Sequence, residues 1–154
     1  MQPIPESFGF QCHINGDRVR ADPQTADLVA GNALKSWWGP NRHIISGIKQ
    51  SGGLYDISLF VHGAAARSAT AAADISVPNQ GGQKHGDLGV LRKHAEVFEP
   101  RVRSLFGMVD PENCLLWHVA FLPNLPTWVS PNGRVTLLGD AAHAMTPHLG
   151  QVSS

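Results

Sequence analysis

At 154 residues the chain is long enough for one domain with a sizeable core and barely long enough for two. Its 12 Lys and Arg balance 12 Asp and Glu, so no overall field draws it to nucleic acid or acidic lipid. Charged residues make up only 16%, beside 16 Gly and 11 Pro, a composition of many turns and little exposed helix.

The N-terminus, Met1-Gln2-Pro3-Ile4-Pro5-Glu6, has no basic segment followed by an apolar one. No window approaches the roughly 18 apolar residues of a membrane span. The chain therefore reads as soluble and cytoplasmic. Phe8 to Ile14 reads as a strand ended by the turn signal Asn15-Gly16-Asp17. Asp22 is placed to cap a short helix over Gln24 to Ala30, with Pro23 at its first position and Gly31-Asn32 at its end. Leu34 to Trp38, His43 to Ile48 and Leu54 to Val61 read as three strands, divided by Gly39-Pro40-Asn41 and Ser51-Gly52-Gly53. In the last, Tyr55, Ile57, Leu59 and Val61 alternate with Asp56, Ser58, Phe60 and His62, the pattern of an antiparallel sheet with one buried face.

Gly63 to Ala73 reads as helix or linker, and Val77 to Gln83 as loop. A helical period returns over Asp87 to Phe98, with Leu88, Leu91, Ala95 and Phe98 on one side. Pro100 breaks it, and Val102, Leu105, Phe106 and Val109 mark a second short helix. Leu115 to Leu122 reads as a strand, followed by the rigid loop Pro123-Asn124-Leu125-Pro126. Arg134 to Asp140 is a continuous apolar run and predicts a buried strand ending in Gly-Asp. Cys12 and Cys114 are the only cysteines and form no C-x-x-C, so they read as two small buried thiols and not as a disulfide framework or zinc ribbon.

The carboxyl end of a buried strand is where α/β folds place ligand contacts. Gly139 leaves room for a ligand against the backbone, and Asp140 offers two acceptor oxygens suited to vicinal hydroxyls of a sugar or ribitol chain. Pro147-His148-Leu149-Gly150-Gln151 reads as a loop entering a helix whose free N–H groups favour an anionic ligand edge. A Gly-Asp pair alone is also what a strand ending in a helix cap looks like. His143 and His148 do not share a helix face and have no carboxylate partner in sequence, so no metal site is expected. Trp37, Trp38, Trp117 and Trp128 read first as core residues, with an aromatic substrate pocket as the alternative. His43 reads as a polar strand-end residue, with substrate contact as its alternative.

The thirteen positions from Gly139 to Gln151, Gly-Asp-Ala-Ala-His-Ala-Met-Thr-Pro-His-Leu-Gly-Gln, resemble the second flavin-binding motif of class A FAD-dependent aromatic monooxygenases of the salicylate hydroxylase type. Trp37 to His43, the Ser51 to Tyr55 hairpin and Asp87 to Val109 are similar to that family, in its order, so the resemblance runs from Phe8 to Gln151. It implies an α+β chain. Residues 1–130 would form a substrate-domain portion, an antiparallel sheet with short covering helices. Residues 131–154 would be the returning strand and loop of a truncated α/β FAD-binding domain. It further implies that Gly139, Asp140 and Ala141 cradle FAD, with Asp140 on the ribityl chain. Pro147 would lie near the reactive edge of the isoalloxazine ring, and Gly150 would open the helix facing the flavin pyrimidine. In that family NAD(P)H reduces FAD, oxygen adds at flavin C4a, and the hydroperoxide hydroxylates a small aromatic substrate.

The chain also departs from the family. The family opens with a βαβ unit carrying G-x-G-x-x-G for the FAD pyrophosphate, and this chain has no such motif. Phe10-Gln11 stands where the family often has an aromatic residue followed by Arg. After Gln151 the chain reads Val152-Ser153-Ser154 where the family continues into Gly and a long helix. The expectation is an internal fragment with an incomplete flavin site, inactive alone. The alternative is a non-catalytic remnant or interaction module.

Overall fold

The computed structural model describes residues 7–49, 53–71, 84–119, 122 and 124–144. They form two compact units, Ser7–His118 and a smaller one from Val119 onward. Compactness thus divides the chain at His118/Val119, whereas the resemblance implies a boundary after residue 130. The larger unit is a six-stranded sheet in the order β2-β3-β4-β1-β6-β5. In chain order it runs β1 (Ser7–Asn15), α1 (Gly16–Ala21), a 3-10 turn (Ala26–Val29), β2 (Lys35–Gly39), β3 (Arg42–Ile48), β4 (Leu54–His62) and α2 (Gly63–Ala71). It continues through β5 (Lys84–His85), α3 (Leu88–Ala95), α4 (Pro100–Gly107), a 3-10 turn (Pro111–Asn113) and β6 (Cys114–Val119). β2, β3, β4 and β1 pair antiparallel in sequence. No helix among the described residues is long and apolar enough to cross a membrane.

The period-2 patterns carry the core. Phe8, Phe10, Cys12 and Ile14 on β1 and Tyr55, Ile57, Leu59 and Val61 on β4 are buried. They join Leu91 and Ala95 of α3 and Val102, Leu105 and Phe106 of α4 in one cluster. At about 1.5–3 kcal/mol for each large side chain removed from water, this face supplies the main drive for folding. Its buried polar groups are paired, as they must be to avoid a desolvation cost. Tyr55 and Ser46 share a hydroxyl hydrogen bond of 2.6 Å, and Thr25 Oγ1 donates to the Val19 carbonyl at 2.8 Å.

The helix caps arise from local chemistry. The Asp87 carboxylate accepts from the N–H groups of Gly89 and Val90, starting α3, and Pro100 opens α4 at its first turn. Gly63–Ala71 is helix, with Ala66 and Ala69 buried. Two expectations change. Asn15-Gly16-Asp17 is no hairpin turn: the Asn15 side chain accepts from the Asp17 N–H at 2.8 Å and caps α1, because an Asn that suits a turn suits a helix start equally. Asp22 accepts from the Gln24 N–H at 2.9 Å but caps no helix: the chain enters a 3-10 turn at Thr25 with no side-chain cap, and not an α-helix from Gln24 to Ala30. The expected loop over Val77 to Gln83 lies outside the described residues.

Candidate functional site

The Gly139 segment belongs to the smaller unit. Here the expected buried strand over Arg134 to Asp140 is not present. Residues 134–138 and Asp140 are exposed, Val135 by 61% and Leu138 by 78%, and the strand pairing of this run among the described residues is one antiparallel bridge, Val129 to Thr136. The physical reason is that an apolar run becomes a buried strand only when neighbours satisfy its backbone and cover its faces. The segment instead folds back on Trp128–Ser130. Leu137 N–H donates to the Trp128 carbonyl at 2.8 Å, and Ser130 N–H to the Val135 carbonyl at 2.9 Å. Gly133, at φ +68°, makes the reversal.

Gly139 sits at φ +55° and ψ −138°, a conformation that disfavours any side chain. Its carbonyl accepts from the N–H groups of Ala142 and His143, which opens α5 (Asp140–His143). Among the described residues the space beside Gly139 is open, with no heavy atom within 4 Å of where a Cβ would stand. The Asp140 and Ala141 side chains are exposed. The arrangement fits a polyol: a bare backbone approach next to an outward carboxylate that accepts hydroxyl hydrogen bonds. Beside it Trp128 and His143 approach to 5.1 Å between ring centroids, and they line a cleft of about 760 Å³ with Leu122, Asn124, Pro126 and Ala144. Pro147, His148 and Gly150 lie outside the described residues.

A second cluster occupies the sheet face opposite the core. The register puts Trp38 beside His43, His43 beside Phe60, and Phe60 beside Gly9. Trp38 and His43 stack at 5.0 Å, His43 and Phe60 at 4.8 Å, and Phe60 meets Trp117 edge-on at 5.8 Å. Gly9 permits this last contact: a Cβ there would stand 3.1 Å from Trp117 Nε1 and 3.3 Å from Phe60. The result is an aromatic row across five strands. His43 Nδ1 and His62 Nε2 lie 2.8 Å apart, and His62 Nδ1 lies 2.8 Å from Ser7 Oγ. Burial, and then the neighbouring His62, lower the His43 pKa below the ordinary histidine value. Farther along the same face His13 pairs with Asp56, and Lys49 Nζ reaches the other Asp56 oxygen at 3.2 Å.

The tryptophans are less buried than expected. Trp38 is 77% exposed and Trp128 47%. Trp37 packs against the core with its Nε1 donating to Glu99 at 2.6 Å. The Trp117 Nε1 is buried with no hydrogen-bond partner among the described residues. His43 reaches its neighbours through stacking and hydrogen bonding, beyond the role of a strand-end polar residue. Phe60, His62 and Ser7 do not stand out from sequence as site residues. The outward half of the β4 alternation marks Phe60 and His62, yet only the pairing register brings them to His43.

No family model matches the chain. Among characterised proteins it is 34% identical over 113 residues to the FAD-dependent monooxygenase SAT7 of Stachybotrys chartarum, covering 73% of this chain and 23% of that protein. It is 28% identical over 120 residues to 3-hydroxybenzoate 6-hydroxylase of Polaromonas naphthalenivorans, covering 78% of this chain and 26% of that enzyme. A structure of salicylate hydroxylase with substrate superposes with a TM-score of 0.74 at 23% identity, over 97% of this chain and 34% of that one. The α+β fold is therefore that of a portion of these hydroxylases. The chain spans about a quarter of the length of the two curated relatives. Its relatives are FAD-dependent monooxygenases, flavoprotein oxidoreductases, and FAD is the cofactor held by solved neighbours.

Proposed function

We propose that the chain is the substrate-domain sheet and one flavin-contacting segment of an FAD-dependent aromatic monooxygenase. The single observation that carries this is Gly139: a left-handed glycine with open space beside it, directly before an outward carboxylate. Gly139 leaves room for the cofactor, Asp140 accepts hydrogen bonds from the ribityl hydroxyls, and the small Ala141 keeps the approach open. By the resemblance, Pro147 is assigned to the reactive edge of the flavin and Gly150 to its pyrimidine end. When bound, the flavin, reduced by NAD(P)H, activates dioxygen and supplies one oxygen atom to an aromatic ring. The sheet contributes an aromatic row, Trp38-His43-Phe60-Trp117, as an apolar wall for a small planar aromatic substrate. The domain division is part of this reading: residues 1–130 on the substrate side, 131–154 on the flavin side.

FAD titration followed by flavin fluorescence tests the assignment. The chain alone is expected to bind FAD weakly, since it lacks the G-x-G-x-x-G motif. Asp140→Ala should weaken that binding by roughly tenfold or more, the worth of a charge-assisted hydrogen bond. Equal affinity in the Asp140→Ala variant removes Asp140 from the flavin site. Stoichiometric, tightly held FAD overturns the incomplete-site reading. A second reading, an interaction module paired with another chain, is favoured by the exposure of Val135, Leu137 and Leu138. Light scattering that shows a monomer with a cooperative melt counts against it.

A further inference from the structure

The two cysteines, 102 positions apart in sequence, meet in the core with their Sγ atoms 3.6 Å apart. Cys12 lies on β1 and Cys114 opens β6, the neighbouring strand. Both are 0% exposed and neither is in a disulfide. We propose that this pair is a dithiol site that a peroxide oxidises to an intramolecular disulfide, stapling β1 to β6 beneath the aromatic row.

The geometry makes the two sulfurs unequal. Cys12 donates to Cys114, and that bond, together with burial, raises the Cys12 pKa. The same bond lowers that of Cys114, against burial. Cys114, whose sulfur lies against Gly86 at the sheet edge, is the one peroxide reaches first, and Cys12 is the resolving partner. Oxidation proceeds in two balanced steps. The Cys114 thiolate attacks one oxygen of hydrogen peroxide, the O–O bond breaks, and a sulfenic acid forms with release of hydroxide. Cys12 then gives up its proton and attacks the Cys114 sulfur, and the S–O bond breaks with loss of water. Overall two thiols and one peroxide become one disulfide and two waters.

Access comes from the sheet edge. Among the described residues β5 is Lys84–His85, which pairs with Leu115 and Leu116 and stands at the sheet edge. Gly86, next to it, packs so closely that a Cβ would stand 2.7 Å from Cys114 Sγ and 2.9 Å from Phe10. An edge strand opens at a smaller free-energy cost than global unfolding. The consequence reaches the opposite face, since β1 carries Ser7 and Gly9 and β6 carries Trp117, three residues beyond Cys114.

The test is peroxide treatment of the folded chain well below its melting temperature. Thiol titration, intact mass and non-reducing peptide mapping are then read. The expected product is a monomer lighter by two hydrogen atoms, with both thiols lost, the Cys12 and Cys114 peptides linked, and a higher Tm because a long loop is closed. Cys12→Ser should stop at a Cys114 sulfenic acid trapped by a 1,3-dione probe, and Cys114→Ser should slow oxidation severalfold. Where a serine variant does not fold, the alanine variant takes its place. Gly86→Ala, which forces the cover outward, should oxidise roughly tenfold faster. Intermolecular disulfides, sulfinic acid without cross-link, a lowered Tm on oxidation, or reaction only at temperatures that unfold the chain each overturn the proposal.

Discussion

Strand β4 and the run Arg134 to Asp140 are both rich in large apolar residues, yet they end in opposite environments. Tyr55, Ile57, Leu59 and Val61 on β4 are each 0% exposed, whereas Val135 is 61% and Leu138 78% exposed. β4 has β3 on one side, paired over seven positions, and β1 on the other, paired over nine. The later run is held by a single bridge among the described residues. Apolar content proposes a strand; neighbours that take its hydrogen bonds and cover its face decide whether one is buried.

The largest expected effect tests that contrast directly. Leu59→Ala should destabilise the chain by about 2–5 kcal/mol, the sum of lost transfer energy and the cavity left behind. Leu138→Ala should change stability by no more than about 0.5 kcal/mol, as an exposed position does. Urea unfolding of both variants gives the two numbers side by side. Equal losses would mean that the 134–140 run is covered in solution and that the two regions share one environment.

The same contrast explains what the sequence made legible. The sheet was readable because alternation is a local signal: β1 to β4 and α4 stand within a residue or two of their expected places, while α3 ends three residues early at Ala95. At Gly139 the need for a position without a side chain was legible, but not its φ of +55° ahead of α5, because the sequence reads there as the end of a buried strand. What escaped was whatever depends on which strand lies beside which. The aromatic row needs the register of Trp38, His43, Phe60 and Gly9, and the cysteine pair needs β6 next to β1. The 134–140 run failed as a buried strand for the same reason, its burial being a property of partners.

Gly9 sharpens the comparison from within the well-paired region. Gly9→Val should cost about 1–3 kcal/mol by overpacking, since even its Cβ would crowd Trp117 Nε1 at 3.1 Å and Phe60 at 3.3 Å. The loss should come with a changed tryptophan emission, because Trp117 has to move. An unchanged spectrum would show that Phe60 alone yields and that the row is not held by Gly9.

Caps come next in size. Asp87→Ala removes the acceptor for the Gly89 and Val90 N–H groups and should cost about 1 kcal/mol. α5, which begins at a glycine with no side-chain cap, has no equivalent group to lose. Asp87→Asn should recover most of the loss, since an amide oxygen accepts the same bonds. If alanine and asparagine lose equally, the effect lies in charge and not in capping.

The smallest effect is the pH dependence carried by His43. Its pKa is lowered in the folded chain by burial and by His62, so between that lowered value and the ordinary one near 6.5 the unfolded chain binds more protons. Stability then rises with pH across this window and is lost on acidification through it. His43→Gln removes the group, and its urea midpoint should fall less than that of the parent chain between about pH 7 and pH 5. The difference between the two curves reports position 43 together with its contact to His62. A parent curve with the same slope as the variant's would show that His43 protonates as readily in the sheet as in water, and that its stacked, hydrogen-bonded place in the row does not hold the ring neutral.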